Sequence, residues 1–131
     1  MTSYVLDTHT IVWYVARPRA LGRAATRVLR NVDRGRSAGW IPAIVVAEVA
    51  LLRERGRTTL GVADLEATVD RNSALRILPL DLMQVREFAG LVGLKDPFDR
   101  FIVAAARTLR CPLITADENI ARTGLVEVIW D

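Results

Sequence analysis

Short apolar, β-prone runs alternate along this chain with stretches of helical spacing, and that alternation most narrows what it can fold into. Runs at residues 4–6, 38–41, 75–80, 112–115 and 126–129 read as strands. Between them, helical spacing covers residues 8–15, 20–33, the stretch from Pro42 through Glu48, a short piece beyond the turn at 56–61, 81–92 and 97–109, with a last short helix opened by Asp117. Pro18 stops the first helix, and Gly35 and Gly93 close two others. Helix 20–33 places Leu21, Ala25, Val28, Leu29 and Val32 on one side and Arg23, Arg27, Arg30 and Arg34 on the other.

Strands separated by helices imply a parallel sheet covered on both faces, a three-layer α/β/α arrangement. In such sheets ligands gather beyond the carboxyl ends of the strands, where strand order reverses. The 131 residues show no composition break, so one domain over residues 1–131 is expected. Cys111 is the only cysteine, which excludes an intramolecular disulfide and a Cys-based zinc cluster, and it reads as a small buried hydrophobe beside Pro112. No basic region followed by a long apolar stretch precedes YVLD, and no apolar run approaches the roughly 20 residues of a membrane span. A cytoplasmic protein without a membrane partner is the expectation.

Four stretches then set a carboxylate among apolar side chains: Asp7 in YVLDTHT, Glu48 in IPAIVVAEVALL, Asp99 in KDPFDRFIVAAA and Asp117 in LITADENI. Charges are rarely placed there unless paired, hydrogen-bonded or bound to metal. Glu48 is the most telling, because its neighbours at helical spacing are Ile44, Val45, Leu51 and Leu52. Asp7 and Asp117 follow strand runs, and Asp99 lies in the first turn of a helix. One acidic, cation-binding site at a single sheet edge unites them. Hard cations such as Mg²⁺ and Mn²⁺ take oxygen ligands and retain waters, so carboxylates suffice without histidine or cysteine.

Each acid also has a structural explanation. Asp96 and Asp99 in Asp-Pro-Phe-Asp resemble an N-cap and its third helical position, Asp117 suits an N-cap and Asp7 a turn, while Glu48 could be a buried acid answered by a distant arginine. Asp99, with Ile102 and Val103 ahead of it, is the expected ligand, and Asp96 the cap or outer support. Thr8 and Thr115 could hydrogen-bond the carboxylates or a metal-bound water, and plain turn and strand roles explain them at least as well. His9, the only histidine, reads as a structural hydrogen-bonder rather than a base.

These motifs, in this order, resemble the PIN-domain family and, within it, the VapC-type toxins of bacterial toxin–antitoxin pairs. The match spans essentially the whole chain, and DPFDR followed by an alanine-rich helix and then TAD carries most of its specificity. The resemblance implies a catalytic quartet of Asp7, Glu48, Asp99 and Asp117 and metal-dependent cleavage of RNA phosphodiester bonds with Mg²⁺ or Mn²⁺ as cofactor. Asp7, Asp99 and Glu48 would be metal ligands, and Asp117 would bind a second ion or position the water. A small VapB-type antitoxin as partner and a homodimer are implied as well. One departure stands at Val45, where relatives often carry a serine one turn before the glutamate.

The formal charge is +3, and with Lys95 the only lysine, arginine carries the basicity. Arg23, Arg27, Arg30 and Arg34 form a candidate phosphate-tracking stripe, and Arg53, Arg55 and Arg57 a second cluster; a solvated helix face explains them equally well. No module that interleaves aromatics for reading single-stranded bases is visible, and Trp13, Tyr14, Trp40 and Trp130 suit either core or partner surface. The alternatives to a ribonuclease are a non-catalytic RNA- or protein-binding domain of the same fold and another metal-dependent phosphoryl-transfer enzyme. The second would favour an Asp-x-Asp motif, whereas the first strand run ends in Asp7-Thr8-His9.

Overall fold

The computed structural model describes the whole chain, Met1–Asp131. Strands β1 (Thr2–Leu6), β2 (Ser37–Pro42), β3 (Leu75–Leu78), β4 (Leu113–Ile114) and β5 (Val128–Ile129) form one sheet in the order β3-β2-β1-β4-β5. Every pairing is parallel. Helices α1 (Thr8–Ala16), α2 (Arg23–Asp33), α3 (Ala43–Glu54), α4 (Val62–Arg71), α5 (Leu82–Ala89), α6 (Pro97–Leu109) and α7 (Glu118–Thr123) flank it, completing the expected three-layer α/β/α architecture. No helix is long and apolar enough to cross a membrane.

The central strands are buried on both faces, as a covered parallel sheet requires: Val5 and Leu6 of β1 and Leu113 and Ile114 of β4 are fully buried. Helix α6 packs against them through Ile102, Val103 and Ala104 to Ala106, where three consecutive alanines let the backbone approach its neighbours closely. Truncating Ile102 to alanine would remove packing worth about 2–5 kcal/mol. The strand order reverses between β1 and β4, each of which ends at the same carboxyl edge.

Several boundaries differ from the sequence reading. Helix α2 begins at Arg23, because residues Pro18–Ala20 form a separate 3₁₀ turn and Gly22 lies so close to Trp130 that a Cβ would run into its carbonyl oxygen. Strand β3 stops at Leu78, before Pro79, whose carbonyl instead accepts from the Gln84 side chain at 2.8 Å. Helix α5 ends at Ala89 with Gly90 as its C-cap, not at Gly93, and the turn that follows buries Leu91 and Leu94 in the core. Cys111 touches the core yet stays half-buried, so it is less enclosed than expected.

Candidate active site

Asp7 follows the last residue of β1 and caps α1, accepting a hydrogen bond from the Thr10 amide at 2.9 Å. Asp117 follows β4 and caps α7, accepting from the amides of Asn119 and Ile120 at 2.8 and 3.3 Å. Asp96 caps α6 through the amides of Phe98 and Asp99 at 2.8 and 3.2 Å. The three caps therefore bring three helix N-termini to one edge of the sheet, where backbone dipoles favour negative charge. Asp99 sits in the first turn of α6, and Glu48 reaches the same place from the middle of α3.

These five carboxylates line one cleft of about 440 Å³, together with Thr8, His9, Trp13, Ile102 and Ala116. Four separate regions of sequence thus converge as expected. The capping explanations for Asp7, Asp96 and Asp117 hold too, because a residue that caps a helix at this edge also faces the cleft.

Hydroxyl groups hold two of the acids. The Thr115 hydroxyl donates to Asp7 Oδ2 and also accepts from the Asp117 amide at 3.1 Å, linking the first and last acidic motifs. The Thr8 hydroxyl donates to Glu48 Oε1. Glu48 therefore takes its hydrogen bond from α1 rather than from its own helix, where fully buried Val45 offers no donor. No arginine answers it: the two salt bridges of the molecule, Arg107–Glu87 and Arg122–Glu118, leave all five cleft acids unpaired. Arg100, adjacent to Asp99 in sequence, turns away to donate to the Phe88 carbonyl at 2.8 Å and lie over the Phe88 ring at 4.0 Å.

The electrostatic consequence is a set of acids reluctant to ionise together. Burial raises the Asp7 carboxyl above its ordinary range, against the hydrogen bonds from Thr115 and Thr10. Burial also raises Glu48, with the charges of Asp96 and Asp7 adding to it and the Thr8 hydroxyl opposing. Asp99 is pushed up to about 7, first by burial and then by the negative charges of Asp96, Asp117, Glu48 and Asp7. His9, whose positive form would lower Asp7 and Glu48, is the one group of possible opposite charge at the cleft.

The carboxylates suit a hard divalent cation: their donors are all oxygen, and no arginine or lysine neutralises them. As the side chains stand, no three acidic or imidazole groups close on one point tightly enough to hold an ion.

The arginine stripe does not reach the cleft. Arg23, Arg27, Arg30 and Arg34 are exposed along α2, and Arg34 lies just before β2 begins, at the opposite edge of the sheet. Arg53, Arg55 and Arg57, at and beyond the end of α3, do not line the cleft either. Sequence reasoning missed the cleft-lining place of His9 and Trp13. Their spacing of four on α1, starting two residues after Asp7, was the available signal.

The family model for the PIN domain matches residues 4–125, and the chain belongs to that family. Among solved structures, it is similar to VapBC2 from Rickettsia felis, solved bound to a DNA fragment from their promoter (17% identity, 99% of this chain and 100% of that chain, TM-score 0.72). It is also similar to DNA-bound VapBC from Salmonella typhimurium (17% identity, 98% and 97% covered, TM-score 0.66). VapBC-5 from Mycobacterium tuberculosis, a toxin–antitoxin system, shares 25% identity over 98% of both chains with a TM-score of 0.59. No curated protein matches the chain by sequence.

Proposed function

We propose that this chain is a VapC-type toxin, a Mg²⁺- or Mn²⁺-dependent endoribonuclease acting through Asp7, Glu48, Asp99 and Asp117. The observation that carries the reading is the convergence of acids from four separated motifs on one cleft that holds no arginine or lysine, in a chain of the PIN family. When bound, a divalent cation supplies neutralisation of this charge and activation of water for attack on phosphorus. Asp7 and Asp99, with Glu48, would hold it. Thr115 and Thr8 orient the Asp7 and Glu48 carboxylates, and the Asp96 and Asp117 caps fix α6 and α7 beside them. Burial and then the neighbouring acids push the Asp99 carboxyl up to about 7, and a bound cation would favour its ionised form.

The proposal extends to a single domain over residues 1–131, a cytoplasmic location, a homodimer and a small VapB-type antitoxin that neutralises the enzyme. Support for the antitoxin comes from the VapBC structures among the structural neighbours. The test is incubation of the purified, partner-free protein with total cellular RNA in Mg²⁺, Mn²⁺ or chelator, beside Asp99→Asn. Discrete metal-dependent cuts, absent in the variant, are expected. Folded protein that binds RNA without cutting it and without regard to metal or Asp99 would establish the non-catalytic alternative instead.

A further inference from the structure

The cleft has one wall that the acidic chemistry does not use. The His9 and Trp13 rings lie 5.6 Å apart at an interplanar angle of 46°, and Trp13 meets Trp130 at 5.7 Å and 52°. Both His9 and Trp13 line the cleft beside the acids. His9 is exposed and Trp13 half-exposed. Tyr14, Trp40 and Trp130 pack against the hydrophobic core, whereas Trp13 does not. Its position is fixed from behind: Trp130 accepts a hydrogen bond from the Ala25 amide at 3.0 Å and is pressed against Gly22.

A half-exposed indole has two ordinary explanations, core edge or partner contact, and its place among carboxylates argues for a third. No arginine or lysine lines the cleft, so a strand entering it finds no side-chain cation to hold its phosphates there. Attraction near the reacting phosphate must then come from a bound cation and from the bases. Aromatic faces supply the latter to unpaired bases of any sequence, at about 1–3 kcal/mol per base.

We propose that His9 and Trp13, with Trp130 as buttress, form a stacking subsite for one unpaired nucleobase next to the scissile phosphate. This rests on the ribonuclease reading but is tested apart from it. A base in a duplex is already stacked and paired, so the subsite would not serve it. Because the contact is to a base, its contribution would not vary with salt as a phosphate contact does.

The experiment measures binding of fluorescein-labelled eight-nucleotide oligoadenylate and oligouridylate RNAs to the Asp99→Asn chain, which removes cleavage and one cleft charge together. An equal-length abasic strand and a duplex serve as controls. Adding Trp13→Leu is expected to weaken single-strand binding about tenfold, equally at low and high salt, with Trp13→Phe recovering most of the loss. His9→Ala, at an exposed position, is expected to weaken binding by a smaller factor and serves if Trp13→Leu does not fold. Abasic and duplex binding should not change. In the cleaving parent, Trp13→Leu should raise KM with kcat little changed. Unchanged single-strand binding in Trp13→Leu, or in His9→Ala where that variant must stand in, overturns the proposal and leaves the ring to a protein partner. A parent with no measurable single-strand binding overturns it as well. Trp13-dependent binding without any cleavage would retain the subsite and remove the ribonuclease reading, and Asp99-dependent cleavage indifferent to Trp13 would do the reverse.

Discussion

The carboxyl edge of the sheet and the outer face of α2 each gather charge of one sign and treat it in opposite ways. On α2, Arg23, Arg27, Arg30 and Arg34 are exposed, share no salt bridge and follow simply from the solvent side of an amphipathic helix. At the cleft, Asp7 is nearly enclosed, Glu48 and Asp99 are half-buried, and their pKa values rise because charge is held where solvent cannot relieve it. Charge spacing in sequence is therefore a poor guide to a site, whereas charge surrounded by apolar residues is a good one. The arginines could be exchanged for other polar groups with little structural consequence; the acids are held in place by hydroxyls and helix ends.

The largest effect separating the two regions should come from divalent cation. At pH 8, Mn²⁺ at about a hundred times its dissociation constant should stabilise the protein by about 2.7 kcal/mol, read as a rise in Tm. At pH 5.5 the rise should be smaller, because protons compete for the same oxygens. An equal shift in the presence and absence of Asp99 would place the ion elsewhere.

Without metal, the cleft should make stability depend on pH. Asp99 has a folded pKa of about 7 against an ordinary value of 3.8, so the folded state binds more protons and the relative stability is greatest below about 4. It is lost as pH rises through 4 to 7, by about 2 kcal/mol, less than the whole shift implies because solvent screens this half-buried group. Asp7 and Glu48 act in the same direction. Denaturant unfolding at pH 5, 6, 7 and 8 should show the decline in the chelated parent and a flatter profile in Asp99→Asn.

A smaller effect is expected at the hydroxyls. Thr115→Val removes the donor to Asp7 and the acceptor for the Asp117 amide, and should weaken Mn²⁺ affinity about tenfold in calorimetric titration with the fold retained. Smallest of all, Arg27→Gln with Arg30→Gln should change stability by no more than about 0.5 kcal/mol. If α2 follows phosphates, the same pair should reduce the salt dependence of RNA binding while leaving kcat untouched. A loss of kcat there would erase the distinction between the two regions.

Much of this was legible because the signals were local. The strand–helix alternation and the runs around Val5 and Ile114 defined a parallel sheet, and an acid after β1 and another after β4 marked the place where its order reverses. Helix α6 was legible from Asp-Pro at its start to its end near Leu109. The displaced start of α2 was not, since it depends on Trp130 meeting Gly22 across more than a hundred residues. A second long-range contact of Trp130 hid the aromatic wall: Trp13 and Trp130 have no relation in sequence until the fold brings their rings together. Nor did spacing show that Thr8 would serve Glu48, a pairing between two helices. Capping a helix and lining the cleft are not rival places for Asp7, Asp96 and Asp117, because helices that follow parallel strands begin at the edge where ligands bind.

Whether these acids share a cation is the central property of the cleft to measure. Electron paramagnetic resonance of free Mn²⁺ titrated with the protein at pH 8 measures this without assuming any substrate. Tight uptake of one or two ions per chain, lost in Asp99→Asn and retained in Arg27→Gln with Arg30→Gln, is the predicted result. A folded parent that leaves the Mn²⁺ signal unchanged, or binds equally well without Asp99, would contradict it.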